Sequence, residues 1–125
     1  MASGKGFKLL MCRPTFFQLT YAINPWMTLA TQRGGGVDKQ LAHKQWDVLK
    51  STLEKCGAKV SVMEPKGAER LPDLVFTANA AIVRGRRAYL ANFLYAERKG
   101  ERTLYEKWFR DNGYETCGDV YLPHE

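Results

Sequence analysis

The spacing of hydrophobic positions predicts an amphipathic helix over residues 38–56. Apolar side chains recur there at intervals of four, three, four and three residues, which places them on one face of a helix. Asp38 stands in front of this stripe as an N-cap, and Gly57 follows it as the usual terminating glycine. The stripe consists of Ala42, Trp46, Leu49, Leu53 and Cys56.

A second helix is predicted over 101–112 and ends at Gly113. Its apolar face carries Leu104, Tyr105, Trp108 and Phe109. A short strand follows each helix at once, at 58–63 and at 114–117, and the two terminating glycines lie 56 residues apart. The pattern indicates a weak internal repeat, with a strand–strand–helix–strand unit.

The remaining apolar stretches predict strands and a long loop. Residues 7–12 form a short apolar run that is typical of a buried strand. Residues 74–83 are the most apolar stretch and predict a central strand, which turns at residues 84–86 into a return strand at 87–93. Residues 14–36 show no period and contain Gly34-Gly35-Gly36, so they predict a loop, and residues 1–6 predict a disordered tail.

Length and composition indicate a single domain with a packed core, and the predicted helices and strands make it an α/β domain. It has 125 residues, 45% of them hydrophobic and 12% aromatic. No apolar run is long enough to span a membrane, and the N-terminus lacks the pattern of a secretory signal. Three widely spaced cysteines indicate neither a disulfide framework nor a metal site, so a reducing, cytoplasmic location is expected. The net charge of +6 permits an anionic or nucleic-acid partner without requiring one.

Conventional catalytic motifs are weak. The two histidines, His43 and His124, have no partners at ligand spacing, so no metal and no other cofactor is predicted. Cys117 and His124 could be drawn as a nucleophile and its base, but a cysteine at a strand end is more often a small hydrophobe. The arginines at 84–87 are typical of a solvated hairpin turn, and nucleic-acid binding is not favoured.

Residues 71–80 are the informative segment, because polar side chains interrupt an apolar stretch. Asp73 and Asn79 point to the same side of an ideal strand and Phe76 to the other. A bend is therefore needed to bring all three together. Composition alone favours a structural interpretation, with a capping aspartate, a core phenylalanine and an asparagine bonded to nearby backbone.

The run Pro72-Asp73-Leu74-Val75-Phe76-Thr77-Ala78-Asn79-Ala80 resembles the signature strand of the guanidino-group-modifying enzymes. It is similar in particular to the dimethylarginine dimethylaminohydrolase and arginine dihydrolase branch, and more distantly to amidinotransferases. Two further blocks agree in order with the family: Leu10-Met11-Cys12-Arg13-Pro14 with Ile23-Asn24-Pro25-Trp26-Met27, and Asn92-Phe93-Leu94 with Glu97-Arg98-x-Gly100-Glu101. The triple glycine resembles an insertion.

The resemblance implies a pentein fold, an α/β-propeller-like ring of five strand–strand–helix–strand units. The chain would be a single partial domain over residues 1–125, with about two of the five units. The resemblance assigns Asp73 to a substrate guanidinium, with Phe76 beside the substrate stem and Arg98 on its α-carboxylate. Asn24 and Asn79 would hydrogen-bond the substrate, which would be arginine or a methylated arginine.

The family's acidic motif, catalytic histidine and nucleophilic cysteine belong to later units and have no counterparts here. The chain is therefore expected to bind without catalysing, and none of its residues is assigned a catalytic role. Two units out of five leave two flanks uncovered, so self-association is also expected. The alternative from another class is a stand-alone, basic α/β module that binds an anion or nucleic acid.

Overall fold

The computed structural model describes residues 6–22, 24–32 and 36–125, which form two successive strand–helix–strand arrangements. The first comprises β1 (Lys8–Cys12), α1 (Pro25–Gln32), α2 (Lys39–Lys55) and β2 (Lys59–Met63). Two 3-10 turns follow, at Pro72–Val75 and Thr77–Asn79. The second arrangement comprises β3 (Ala81–Arg84), β4 (Arg87–Leu90), α3 (Ala96–Lys99), α4 (Glu101–Asp111) and β5 (Glu115–Cys117).

The first unit is a parallel strand pair joined through α2. β1 and β2 run in register from Lys8 opposite Lys59 to Cys12 opposite Met63. The predicted N-cap is confirmed, because the Asp38 carboxylate accepts a hydrogen bond of 3.0 Å from the Leu41 N–H. Trp46, in the predicted stripe, is the buried residue of α2.

The second unit adds a hairpin to the same plan. β3 pairs antiparallel with β4, and β5 pairs parallel with β4 on its other side. The two-residue turn places Gly85 at φ +60, a conformation that glycine adopts without steric cost. The predicted helix and hairpin are both confirmed, and the apolar stripe of α4 buries Tyr105 and Phe109.

The repeat expected from the glycine spacing is present in three dimensions. Gly57 and Gly113 have φ values of +98 and +86, so both helices end in the same left-handed conformation. The next N–H after each glycine returns to a carbonyl in the last helical turn, from Ala58 to Leu53 at 3.0 Å and from Tyr114 to Phe109 at 2.9 Å. Unit one therefore corresponds to β4, α4 and β5 of unit two.

The core lies between the two units. Side chains of β1 and β2 contact those of the first 3-10 turn, β4 and α4. Burying their apolar surface stabilises the fold by about 25 cal/mol for each Å² removed from water. Its largest members are Cys12, Met63, Leu74, Leu90, Tyr105 and Phe109. The two units therefore stabilise one another.

The predicted central strand over 74–83 is wrong. Its first part forms the two 3-10 turns, and only Ala81–Arg84 is extended. Pro72 begins the first turn, where its missing N–H costs no hydrogen bond. The Thr77 hydroxyl donates to the Leu10 carbonyl at 2.8 Å, which fixes the second turn against β1. The apolar composition reflects packing of Leu74 in the core, not membership of a sheet.

The predicted loop over 14–36 also contains a helix. Asn24 accepts a hydrogen bond of 2.9 Å from the Met27 N–H, and Pro25 occupies the first helical position. Asn24 and Pro25 are residues typical of a helix N-terminus, and they indicate this helix although the segment lacks apolar periodicity. Residues 1–5 of the predicted tail and Gly34 and Gly35 of the triple glycine lie outside the described residues. In the part of the chain that the structure describes, no helix is both long and apolar enough to cross a membrane.

We predict that the isolated chain self-associates through its uncovered apolar flank. Ile82 is 76% exposed, and Val83 and Val120 are also exposed, whereas Leu74 of the same flank is buried. Monomers rarely leave such patches uncovered. Sedimentation should show a mass that rises with concentration, and Ile82→Thr should reduce that rise. A single species of 14.2 kDa at every concentration would contradict the prediction.

Candidate functional site

The two 3-10 turns and α3 place the guanidinium of Arg98 at the centre of a polar cluster. Arg98 is 7% exposed. Its Nη1 donates to Asn79 Oδ1 at 3.1 Å, and its Nη2 donates to the Asp73 carbonyl at 3.3 Å. The two turns thus bring the Asp73 carbonyl and the Asn79 side chain to one partner.

Arg98 and Glu101 form a buried bidentate ion pair. Nε donates to Oε2 at 2.8 Å and Nη2 donates to Oε1 at 2.9 Å, while the guanidinium carbon lies 4.5 Å from the ring centre of Phe93. Burial raises the pKa of Glu101, and the hydrogen bonds and charge of Arg98 oppose that shift. Burial lowers the pKa of Arg98, but hydrogen bonding and attraction to Glu101 outweigh it, so the net shift is upward and Arg98 stays protonated.

Asp73 presents one free acceptor. The residue is 4% exposed, and its Oδ2 accepts a hydrogen bond from the Tyr21 hydroxyl. Its Oδ1 is buried and accepts no hydrogen bond from residues 6–22, 24–32 and 36–125. Leaving such an acceptor unpaired costs about 1–3 kcal/mol, which an incoming N–H donor would recover. The cluster can therefore bind a cationic or amide-like donor at Asp73.

Three of the sequence-predicted site residues belong to this cluster: Asp73, Asn79 and Arg98. Four of the five N–H groups of Arg98 are bonded to acceptors of the described residues, and the fifth is on Nη1. The structural interpretation favoured by composition is wrong, because the side chains of Asp73 and Asn79 bond to Tyr21 and Arg98 and not to neighbouring backbone.

Phe76 and Asn24 stand apart from that hydrogen-bond network. Phe76 is 47% exposed and meets Phe17 edge to face, with ring centres 5.6 Å apart. It is thus not the core residue of the structural interpretation. Asn24 is exposed and caps α1 through its side-chain oxygen. Its predicted contact with a substrate stays a prediction.

Sequence reasoning missed Tyr21, Glu101 and Phe93 as parts of the site. Glu101 lies three residues after Arg98, a spacing at which helical side chains meet, so its role was readable from the pattern. Phe93 lies five residues before Arg98, whose guanidinium it contacts. Tyr21 reaches the cluster from a position 52 residues before Asp73, and no local pattern indicates that contact.

The hydrogen-bond partners of Cys117 and His124 are backbone carbonyls, not one another. Cys12 is fully buried, and burial, followed by the negative charges of Glu64 and Glu101, raises the pKa of its thiol to about 12. Both ring nitrogens of His124 face backbone carbonyls, of Leu122 at 3.1 Å and Leu90 at 2.8 Å. The Cys117 sulfur lies 3.7 Å from the Ala88 carbonyl oxygen. Across residues 6–22, 24–32 and 36–125, no group of His, Cys, Asp and Glu side chains is arranged to hold a metal ion.

Comparison with known proteins identifies relatives over most of the chain. Residues 15–117 match the family model described as N,N dimethylarginine dimethylhydrolase, eukaryotic. An uncharacterised protein of Caenorhabditis elegans is 45% identical over 91% of this chain and 38% of its own length. The N(G),N(G)-dimethylarginine dimethylaminohydrolase of Mycobacterium tuberculosis is 39% identical over 83% of this chain and 32% of its own length.

Solved structures of arginine dihydrolases and dimethylarginine dimethylaminohydrolases also resemble this chain. The N-terminal domain of ArgZ, a cyanobacterial arginine dihydrolase crystallised with its product, superposes with a TM-score of 0.85 and 35% identity, over 97% of this chain and 42% of that one. The Pseudomonas aeruginosa dimethylarginine dimethylaminohydrolase, at TM-score 0.65 and 20% identity over 90% of this chain and 42% of that one, shares the fold. The fold expectation is thereby confirmed: the chain is a partial pentein.

We predict that the Arg98–Glu101 pair is required for stability. Arg98→Met leaves Glu101 buried without a countercharge, which should lower the free energy of unfolding by about 3–5 kcal/mol. Arg87→Met is the matched control, because the Arg87–Glu115 pair at 3.2 Å is exposed and should contribute under about 1 kcal/mol. Urea denaturation measures both values. Equal losses in the two variants would contradict the prediction.

Proposed function

The chain belongs to the family of eukaryotic N,N-dimethylarginine dimethylhydrolases, and we propose that it is the N-terminal, substrate-binding portion of a citrulline-forming hydrolase or amidinotransferase acting on the guanidino group of arginine or methylated arginine. It spans less than two-fifths of the length of the curated relatives it matches: 38%, 14%, 32% and 18% of them. The relatives with assigned activities are arginine dihydrolases and a dimethylarginine dimethylaminohydrolase.

The free oxygen of Asp73 is the observation that supports this proposal. A guanidinium carries planar N–H donors that fit carboxylate oxygens. Tyr21 already donates to Oδ2, so the buried Oδ1 is the oxygen available to a substrate N–H. Phe76 is half exposed and can cover the aliphatic stem of such a ligand.

Hydrolysis of a guanidino group requires a thiolate that attacks the central carbon and a base that handles protons. Burial raises the pKa of the Cys12 thiol, and both ring nitrogens of His124 face backbone carbonyls and not Cys117. The proposal therefore assigns binding to this chain and the nucleophile to the later units that the resemblance implies. Three free thiols fit a cytoplasmic location.

We predict that the chain on its own releases no citrulline. Purified protein incubated with arginine, or with monomethyl- or dimethylarginine, should give a colorimetric citrulline signal equal to the buffer blank. Cys117→Ser is the control. Turnover that disappears in that variant would contradict the prediction and assign a catalytic role to Cys117.

We predict weak arginine binding that depends on Asp73. Half a pocket should hold arginine with a Kd in the millimolar range or weaker, equivalent to about 4 kcal/mol or less. Calorimetric titration should show this heat reduced in Asp73→Ala and retained in Asp47→Ala, which removes an exposed carboxylate from α2. Lysine, which lacks a guanidinium, should bind more weakly than arginine. Equal heats in wild type and Asp73→Ala would remove Asp73 from the site.

A further inference from the structure

Tyr21 lies against the carboxylate to which we assign ligand binding. Its hydroxyl donates to Asp73 Oδ2 from a position 52 residues earlier in the chain. A tyrosine carries one O–H donor, so this hydrogen bond uses one oxygen of the carboxylate. Oδ1, the other oxygen, accepts no hydrogen bond from the part of the chain that the structure describes. The two oxygens of Asp73 are therefore not equivalent to an incoming ligand.

The electrostatic surroundings of Tyr21 keep its hydroxyl a donor. Burial, followed by the hydrogen bond to Asp73 and the negative charge of that residue, raises the pKa of Tyr21. The positive charge of Arg98 opposes this shift only in part. The phenol is consequently protonated at neutral pH, and Oδ2 is the oxygen that receives its proton.

Contacts on both sides hold the Tyr21–Asp73 pair in place. Phe17, in the same segment as Tyr21, meets Phe76 edge to face with ring centres 5.6 Å apart. On the other side, Nη2 of the buried Arg98 donates to the Asp73 carbonyl at 3.3 Å. The Asp73 side chain thus projects from an anchored turn toward an anchored hydroxyl, which makes the unequal use of its two oxygens a stable property of the fold.

We propose that Tyr21 is a specificity-determining residue, because its hydroxyl limits Asp73 to one strong contact with a ligand cation. A guanidinium and an open carboxylate normally meet through two parallel N–H···O bonds. With Oδ2 already bonded to Tyr21, Oδ1 alone accepts, and one guanidino nitrogen is held. This inference rests on the proposed function and adds to it, since the two nitrogens that Asp73 does not hold stay open to the catalytic groups of the later units.

The ratio of arginine affinity to lysine affinity measures how many oxygens of Asp73 are open. The planar fork of a guanidinium matches two carboxylate oxygens, whereas the lysine ammonium is a point charge that one oxygen satisfies. Calorimetric titration of the wild-type chain should give a ratio above one but below about tenfold, because a second charge-assisted hydrogen bond would add at least about that factor. Tyr21→Phe keeps the ring and opens Oδ2, so the ratio should rise about tenfold through tighter binding of arginine.

Tyr121→Phe is the matched control, because Tyr121 is 89% exposed, and it should leave the ratio at its wild-type value. A wild-type ratio above the factor expected for a fork would mean that arginine already uses both oxygens, and would overturn the inference without any variant. An unchanged ratio in Tyr21→Phe, or an equal fall in both affinities, would leave Tyr21 a structural role only and overturn the inference while the proposed function stands. Arginine binding that is absent, or that persists undiminished in Asp73→Ala, would overturn the proposed function and this inference together.

Discussion

The buried charge of Arg98 is the constraint on which the site depends. A guanidinium that is 7% exposed needs acceptors on nearly every donor, because an unpaired buried charge costs several kcal/mol. Glu101 supplies two of them and also the countercharge. The Asp73 carbonyl and the Asn79 side chain supply the others, so the same requirement holds the two 3-10 turns against α3 and α4.

This arrangement separates the acceptors that satisfy Arg98 from the carboxylate to which we assign ligand binding. Arg98 uses the backbone of Asp73, not its carboxylate, as an acceptor. The carboxylate is consequently shared between Tyr21 and an open position at Oδ1. A site that recognises a cation can thus lie next to a buried arginine, because Glu101 already balances the charge of that arginine.

The repeated unit explains why a chain of this length forms a packed core and still leaves surfaces uncovered. Tyr105 and Phe109 of unit two belong to the same buried cluster as Cys12 and Met63 of unit one. The exposed Ile82 lies outside that cluster.

Sequence alone determined the features that depend on neighbouring residues. The stripe through Trp46, the cap at Asp38 and the terminating glycines at 57 and 113 are local, so periodicity and capping chemistry predicted both long helices and the repeat. The resemblance of residues 72–80 to a family signature selected Asp73 and Asn79, and the block Glu97-Arg98-x-Gly100-Glu101 selected Arg98. Tertiary structure alone decided that residues 72–79 are turns, because Pro72 and the bonds from Thr77 and Arg98 override their apolar, strand-like composition. It also decided which oxygen of Asp73 is open, since Tyr21 lies 52 residues away along the chain and only folding brings its hydroxyl to that carboxylate.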